Sequence, residues 1–293
     1  MKRVLLTGAT GFIGRNAIAP LISQGYEVHA VSSKKHIDAT HGVHWHCVDL
    51  LKSKDTARLM AEVRPTHLLH FAWYAEHRKF WRSAENFRWL EASITLLRYF
   101  HQAGGQRVVM AGTCAEYDWN YGYCTETVTP CRPATPYGVC KNALQELLRA
   151  YSDEEKLSSA WGRIFLPYGP GEDSRRLLPS LVAVFQGNRP PFGINVTAIR
   201  DFLHVDDVAA GFVKLLQANA TGEYNICSGQ PVQLAGVVHQ IAHLYGADSS
   251  IILDLSTERP GEPQFLVGSN QKLTALGWRA RHSFADMPQN LEM

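Results

Sequence analysis

Residues 4–14 read VLLTGATGFIG, an apolar run and a threonine followed by glycines at positions 8, 11 and 14. The apolar run predicts a buried strand, and the residues after the glycines predict a helix. A glycine turn between a strand and a helix lets a diphosphate approach the backbone beside the positive end of the helix. The spacing is GxxGxxG rather than GxGxxG, and its context predicts a dinucleotide-binding loop. We assign six residues of this stretch to cofactor binding: Gly8, Thr10, Gly11, Phe12, Ile13 and Gly14.

Beyond this loop, short apolar runs alternate with amphipathic segments. Further strands are predicted over 27–32, 43–48, 67–72, 107–111 and 160–165, and helices over 12–23, 86–103 and 137–151. Such alternation predicts an α/β fold in which helices cover both faces of a doubly wound parallel sheet, the Rossmann arrangement, with its switch point at the Gly8 loop.

The domain organisation follows from where this alternation weakens, near residue 165. We expect 1–165 to form the Rossmann NADP-binding domain, and 201–226 to return to it with a helix over 201–218 and a strand over 224–226. The remaining segments, 166–200 and 227–293, are expected to form a smaller C-terminal α/β lobe that binds substrate.

Composition excludes several classes of protein. The chain has 293 residues, 45% of them hydrophobic and 19% charged, which excludes intrinsic disorder. Its 29 basic and 27 acidic residues give a net charge of +2, so neither a nucleic-acid partner nor a membrane surface is expected. No apolar run approaches the ~20 residues of a membrane span, and the apolar stretch at the start is too short for a signal peptide.

The six cysteines are scattered without the spacing of a metal site, so we expect free thiols, no metal and a cytoplasmic enzyme.

The end of the second predicted strand bears on the choice of cofactor. A carboxylate there would bind the adenosine ribose and favour NAD, whereas this chain has Ser32, Ser33, Lys34 and Lys35. Small hydroxyls and lysines can accept a 2′-phosphate, so we assign Ser32, Ser33 and Lys34 to cofactor binding and favour NADP(H) over NAD(H). A solvated loop is the alternative for the lysines.

After the third strand, Asp49 and Leu50 are placed to contact the adenine. The alternative for Asp49 is a cap on the helix that follows near Ser53.

The candidate catalytic residues are Thr113, Tyr137 and Lys141. The sequence YGVCK (137–141) places the tyrosine and the lysine four residues apart, on one face of a predicted helix. A lysine ammonium beside a phenol lowers the pKa of that phenol, which can then exchange a proton near neutral pH. Thr113 follows the fifth strand at the carboxyl edge of the sheet, where its hydroxyl can bind a substrate oxygen.

With these residues in this order, the chain resembles the extended short-chain dehydrogenase/reductases, and within them the NAD(P)-dependent nucleotide-sugar epimerase/dehydratase family. The resemblance spans nearly the whole chain and is carried by TGATGFIG (7–14), HFA (70–72), YGVCK (137–141), YGPG (168–171), RDFLHVDDVA (200–209) and RPGE (259–262).

The resemblance implies a nucleotide-sugar substrate, hydride transfer with the nicotinamide and a homodimer built on helices 86–103 and 137–151. It also implies cofactor contacts at Phe71, Ala72, Trp73, Phe165, Tyr137 and Lys141.

The resemblance further implies that Arg200 and Arg259 hold the sugar diphosphate, for which two guanidinium groups are suited. The alternative for Arg200 is a salt bridge to Asp206 or Asp207, which we otherwise interpret as a helix cap.

The positions after Thr113 bear on the type of reaction. Family dehydratases carry an Asp-Glu pair there, but this chain has Cys114 and Ala115, so dehydration is excluded. The 3,5-epimerases need a cysteine two residues after the hydroxyl residue, whereas Cys114 is one residue away and is expected to pack in the core.

We expect NADPH-dependent reduction of a nucleotide-linked 4-keto-6-deoxyhexose, because Ser32 is not acidic and Leu166 stands where many sugar epimerases have an asparagine. The alternatives are a 4-epimerase with tightly bound NAD, reduction of another carbonyl compound, and an NADP-binding regulatory protein without turnover.

Residues 73–89 mix aromatic with basic side chains. This mixture occurs in proteins that bind single-stranded nucleic acid, but its place after the fourth strand predicts a wall of the sugar pocket or a layer beneath a lid.

Overall fold

The computed structural model describes residues 2–34 and 41–287. The strands are β1 (Arg3–Thr7), β2 (Glu27–Ser32), β3 (Val43–Cys47), β4 (His67–His70), β5 (Arg107–Thr113), β6 (Tyr123–Cys124), β7 (Ser158–Ile164), β8 (Leu166–Tyr168), β9 (Ile199–Arg200), β10 (Phe202–His204), β11 (Gly222–Ile226), β12 (Val232–Gln233) and β13 (Phe265–Gly268). The helices are α1 (Gly14–Ser23), α2 (Ser53–Val63), α3 (Glu85–Gln102), α4 (Pro136–Glu155), α5 (Leu177–Phe185), α6 (Val205–Gln217), α7 (Leu234–Leu244), α8 (Ser250–Leu253) and α9 (Gln271–Ala275).

A parallel sheet of seven strands forms the centre of the molecule, in the order β11-β7-β5-β4-β1-β2-β3. The first three strands run from β1 towards one edge, and β4 then pairs with the other side of β1. The switch point therefore lies beside β1, where residues 8–14 connect it to α1. This topology confirms the doubly wound parallel fold predicted from the sequence.

Two apolar cores cover the faces of this sheet. One joins β1 and β2 to α1 and α6, and the other joins β4 and β5 to α2, α3 and α4. A separate core gathers α5, α7 and α8 around Tyr168 and Phe202. α6 packs on α1, and β11 pairs with β7 at the edge of the large sheet. The division of the chain into a Rossmann domain and a substrate lobe stays our proposal.

The predicted helix over 201–218 is wrong at its beginning. Phe202–His204 forms β10, which pairs with β8, and the helix begins at Val205. The cap is the His204 side chain, which accepts a hydrogen bond from the backbone of Asp206, rather than the Asp206-Asp207 pair. The carboxylate of Asp207 accepts instead from the backbone of Arg281 and His282.

The apolar residues of α3 and α4 divide between the core and the surface. Leu97, Leu144 and Leu148 are buried in the core beneath the sheet. The exposed apolar side chains on these two helices are Phe87, Val139 and Leu147. The helical repeat alone does not say which apolar stripe faces the sheet, because both helices carry apolar residues on more than one side.

Within the part of the chain that the structure describes, every helix is too short or too polar to cross a lipid bilayer.

The Asp201 carboxylate, just before β10, joins residues 228–229 to the end of β13. It accepts hydrogen bonds from the backbone and hydroxyl of Ser228 and from the backbone of Gly229 and Gly268, at 2.7–3.1 Å. Asp201 is fully buried, Ser228 and Gly229 are half-buried and Gly268 is buried, so the backbone N–H of Gly268 has no access to water if the carboxylate is lost.

We expect Asp201→Ala to destabilise the protein by about 3 kcal/mol or more, because four hydrogen-bond donors, one of them fully buried, would lose a charged acceptor. Urea unfolding measures this loss. The exposed Asp153→Ala is the control and should change stability by less than about 0.5 kcal/mol. Equal effects of the two substitutions would contradict the role of Asp201.

Candidate active site

The glycine loop leaves bare backbone at the switch point. Gly8 has a φ of +65°, and a Cβ there would lie 2.8 Å from the backbone nitrogen of Ala72. A Cβ at Gly14 would overlap the carbonyl of Gly8. The helix N-terminus and this side-chain-free approach fit the diphosphate of a dinucleotide. Helix α1 begins at Gly14, two residues later than predicted, because residues 11–13 form the turn.

A buried series of hydrogen bonds fixes β4 to the start of the glycine loop. The Ser93 hydroxyl donates to the carbonyl of Trp89 at 2.7 Å and therefore accepts from Nε2 of His70 at 2.9 Å. Nδ1 of His70 is then the acceptor for the Thr7 hydroxyl at 2.7 Å, and the Thr7 oxygen accepts from the backbone of Ala72 at 3.2 Å. Burial lowers the pKa of His70 to about 3, so the imidazole stays neutral. These hydrogen bonds hold Ala72 beside Gly8.

Thr113, Tyr137 and Lys141 come together at the carboxyl end of the sheet. Thr113 is the last residue of β5, not a residue after it, and Tyr137 and Lys141 lie in the first two turns of α4. The Thr113 hydroxyl accepts from the backbone of Ala115 at 3.2 Å. Burial raises the pKa of Tyr137 above its usual value, and a hydrogen bond with Thr113 opposes this shift. The free protein thus holds a protonated phenol, whereas the sequence predicted a phenol with a lowered pKa.

Lys141 is 4% exposed and is held away from water by two contacts. Its Nζ donates to the carbonyl of Ala111 at 2.8 Å and lies 3.9 Å from the centre of the Trp73 ring. Burial lowers the pKa of Lys141 to about 7, while the Glu116 carboxylate opposes the shift. Trp73, predicted as a cofactor contact, therefore packs against the candidate catalytic lysine.

Glu116 is the residue that the sequence interpretation missed. Its buried carboxylate accepts from the backbone of Thr113 at 2.8 Å and from Nε of Arg163 at 2.6 Å. The indole of Trp161 donates to the same carboxylate at 3.0 and 3.1 Å. The signal was present in the sequence, because Thr113 and Glu116 have the spacing of a capping box.

Aromatic side chains from residues 73–89 enclose the candidate catalytic tyrosine. Phe80 and Trp81 meet the Tyr137 ring edge-on, with centroids 4.9 and 5.6 Å away. The backbone of Tyr137 donates to the carbonyl of Trp81 at 3.2 Å. This part of the segment therefore lies beside the site, as predicted from its position after the fourth strand.

The far end of the cofactor site lies at the carboxyl end of β2. The buried Ser32 hydroxyl accepts from the backbone of Lys34 at 3.1 Å and lies 3.3 Å from the hydroxyl of Thr10. Ser33 and Lys34 are exposed, and Lys35 lies outside the described residues.

Asp49 does not cap α2. Its carboxylate accepts from the backbone of Leu51 at 3.1 Å, and among the described residues no side chain caps the start of this helix.

The two candidate phosphate-binding arginines both contact Glu262. Arg200 is 6% exposed and donates to Glu262 at 2.9 Å, so the salt bridge expected with Asp206 or Asp207 has a different partner. Arg259 is exposed, donates to the carbonyl of Gly193 at 3.0 Å, and shares a turn with Glu262. Within this structure Arg200 is already neutralised by a carboxylate.

Three further predicted cofactor contacts, Phe165, Leu50 and Phe71, pack against other apolar side chains. The Phe165 side chain lies in a small apolar cluster with Cys114, and Leu50 belongs to the core beneath the sheet. Phe71 packs edge-on against Phe212. The cysteines are all free and Cys114 is buried, as predicted, and Cys140 is buried as well.

Comparison with known proteins gives the family context. The sequence model of the NAD dependent epimerase/dehydratase family matches residues 4–227. UDP-glucose 4-epimerase 2 of Arabidopsis thaliana is 26% identical, over 99% of this chain and 94% of that protein. The dTDP-6-deoxy-L-talose 4-dehydrogenase (NAD(+)) of Aggregatibacter actinomycetemcomitans is 22% identical, over 81% of this chain and 88% of that protein.

Solved structures share the fold. UDP-glucose 4-epimerase of Thermus thermophilus, in complex with NAD, superposes with a TM-score of 0.83 at 27% identity, covering 98% of this chain and 97% of that one. A double mutant of the dTDP-glucose 4,6-dehydratase DesIV of Streptomyces venezuelae gives a TM-score of 0.85 at 24% identity, covering 99% and 95% of the two chains.

Burial of Lys141 predicts how stability depends on pH. The unfolded chain carries a lysine pKa near ~10.4, and the folded pKa is about 7. Between these values the unfolded state binds more protons, so raising the pH favours the folded state by at most about 1.4 kcal/mol per pH unit. We expect Lys141→Met to gain less stability than the wild type between about pH 7 and about pH 9. The measurement is the free energy of unfolding by urea at several pH values. An equal rise of this free energy with pH in the two proteins would contradict the prediction.

Proposed function

Because the chain belongs to the NAD-dependent epimerase/dehydratase family, we propose that it epimerises a nucleotide-linked sugar by removing hydride from one ring carbon and returning it to the other face. The observation that carries this proposal is the group formed by Thr113, Tyr137 and Lys141 at the carboxyl end of β5. In the turn after β5, Cys114 and Ala115 occupy the adjoining positions, and the carboxylate of Glu116 is bound to Arg163. Proton exchange at a hydroxyl is therefore supported, and elimination of water is not.

A bound nicotinamide would supply reversible hydride transfer with the sugar carbon. Tyr137 takes the hydroxyl proton and later returns it, while the Thr113 hydroxyl orients the sugar oxygen. Tyr137 must first lose its own proton, and burial of this phenol opposes that loss. Lys141, one helical turn away, is the cation that stabilises the phenolate once its ammonium turns from the carbonyl of Ala111. Gly8, Gly14 and the first turn of α1 hold the cofactor diphosphate.

The sugar diphosphate is proposed to bind Arg200 and Arg259. Glu262 pairs with Arg200 in the free protein, so an entering phosphate competes with this carboxylate. The exposed guanidinium of Arg259 is available from the same turn.

A second candidate is the reduction of a nucleotide-linked 4-keto-6-deoxyhexose with NADPH. Two observations favour it: Ser32 stands where a carboxylate would select NAD, and the protonated Tyr137 is ready to donate to a ketone oxygen. The relatives favour epimerisation and NAD instead, because the Arabidopsis relative carries the name of an epimerase and the Thermus structure contains NAD.

One experiment separates the two candidates. The purified protein is incubated with NAD and a panel of nucleotide hexoses, and with NADPH and nucleotide 4-keto-6-deoxyhexoses. Epimerisation converts the hexose without net change in nicotinamide absorbance, whereas reduction consumes NADPH in proportion to product. Binding of cofactor without turnover in either reaction would favour the regulatory alternative.

We also propose a cytoplasmic homodimer in which α3 and α4 face a second copy. The exposed Phe87, Val139 and Leu147 on these helices support this arrangement. A monomer in sedimentation at micromolar concentration would contradict it.

We expect Tyr137→Phe to lower turnover by about 10²–10⁴-fold, because the proton carrier is lost. Cofactor affinity should be retained, since the phenol hydroxyl is a small part of the binding surface. Arg149→Ala, at an exposed position further along the same helix, is the matched control and should keep its turnover. Near-normal turnover of Tyr137→Phe across the pH range would exclude this mechanism.

We expect Ser32→Asp to weaken NADPH binding relative to NADH binding by about tenfold or more, because a carboxylate at this position repels the 2′-phosphate. Titration of both cofactors by fluorescence measures the ratio, and Ser23→Ala, at an exposed serine in the last turn of α1, is the control. An unchanged ratio would place the 2′-phosphate away from the end of β2.

A further inference from the structure

Four residues of metal-binding types share one face of the sheet, at the edge away from the candidate active site. Glu27 and His29 lie two residues apart on β2, and His44 and His46 lie two residues apart on β3. Residues two apart on a strand face the same side. The parallel register places His29 opposite His44, so the four side chains form one group.

The ligand atoms of three of these residues already converge. Nε2 of His29 lies 3.2 Å from Oε1 of Glu27, and Nε2 of His44 lies 3.9 Å from the same oxygen. These atoms all lie within 4.8 Å of one another. In a tetrahedral zinc site with bonds of about 2.0–2.2 Å, neighbouring ligand atoms are separated by roughly 3.3–3.6 Å. A cation at their centre therefore requires the exposed His44 ring, which stacks on the His29 ring with centroids 4.8 Å apart, to rotate towards it.

The fourth residue completes the arrangement around His29. Nδ1 of His29 lies 3.0 Å from Nε2 of His46. A metal-binding histidine commonly donates its second ring nitrogen to a nearby acceptor, which fixes the ring and its tautomer. When His46 accepts this hydrogen bond, the lone pair of His29 Nε2 faces Glu27, and the His44 ring stacks on the His29 ring with centroids 4.8 Å apart.

Exposure leaves room for a further ligand. The side chains of His29 and Glu27 are 11% and 25% exposed, whereas that of His44 is 61% exposed. The pocket is thus closed by the sheet on one side and open to water on the other. The nearby charges include the guanidinium of Arg3, which faces His29, and the carboxylate of Glu62, which faces His46.

We propose that Glu27, His29 and His44 bind a divalent cation of the zinc type, with His46 orienting His29 and water in the fourth position. Two imidazoles and one carboxylate form a ligand set that Zn²⁺ accepts readily. The cation replaces the proton between His29 and Glu27 and joins the edge strand β3 to β2. This site is independent of the proposed function, because its residues lie away from the carboxyl end of the sheet.

A second group with similar atoms lacks this freedom. His204, Asp206 and His282 also converge, but Nδ1 of His204 accepts from the backbone of Asp206, and Nδ1 of His282 is bound to Asp207. Those ring nitrogens already serve the start of α6.

The test uses the full chain without an affinity tag, stripped of metal by a chelator and titrated with Zn²⁺ or Co²⁺ alone. We expect one cation per chain, a visible Co²⁺ absorption typical of tetrahedral nitrogen and oxygen ligands, and a higher melting temperature with Zn²⁺. His44→Ala, at an exposed position, should remove the binding without unfolding the protein. His46→Ala should weaken the affinity by about 10–100-fold.

His239→Ala, at an exposed histidine on α7, is the matched control and should bind like the wild type. No binding by the wild type would overturn the proposal. Equal binding by wild type and His44→Ala would overturn it as well, because the cation would then occupy another site.

Discussion

The buried ion pair between Glu116 and Arg163 is the interaction on which the rest of the site depends. Arg163 lies on β7, and Glu116 lies in the turn that follows β5, so the pair joins neighbouring strands beneath Thr113. Burial alone would lower the pKa of Arg163, but Glu116 reverses this and keeps the guanidinium charged. Each charge is costly in this environment without the other. The pair therefore fixes the turn in which the substrate-facing hydroxyl stands.

This ion pair also connects the large sheet to the short strands β6 and β13. Arg163 donates to the Tyr117 hydroxyl at 3.2 Å, and Tyr117 donates to Asn225 on β11 at 2.8 Å. The amide of Asn225 in turn donates to the carbonyls of Cys124 and Ser269, beside the strands β6 and β13. A continuous set of hydrogen bonds thus runs from the candidate catalytic turn to the strands beside the proposed phosphate-binding residues.

The sequence predicted much of the fold because the signals were local. The apolar run over 4–6 and the glycines that follow fix a strand, a turn and a helix within a dozen residues. The apolar run after Arg107 likewise fixes the strand β5. The prediction failed over 201–204, where Asp201 lies outside any helix and Phe202–His204 forms a strand. There the buried acceptor Asp201 and the capping ring of His204 set the conformation. Partners distant in the chain decide this, and a local pattern does not include them.

By itself the sequence determined the residue types at the candidate site: glycines where the backbone must be bare, and a tyrosine and a lysine one helical turn apart. Only the tertiary structure decided their state, since the shift in the pKa of Lys141 comes from its burial against Trp73 and Ala111. Likewise, it brought Glu27 and His29 to the histidines of β3 through strand register. The order of the residues sets which chemical groups are available, whereas desolvation and proximity depend on segments that meet only after folding.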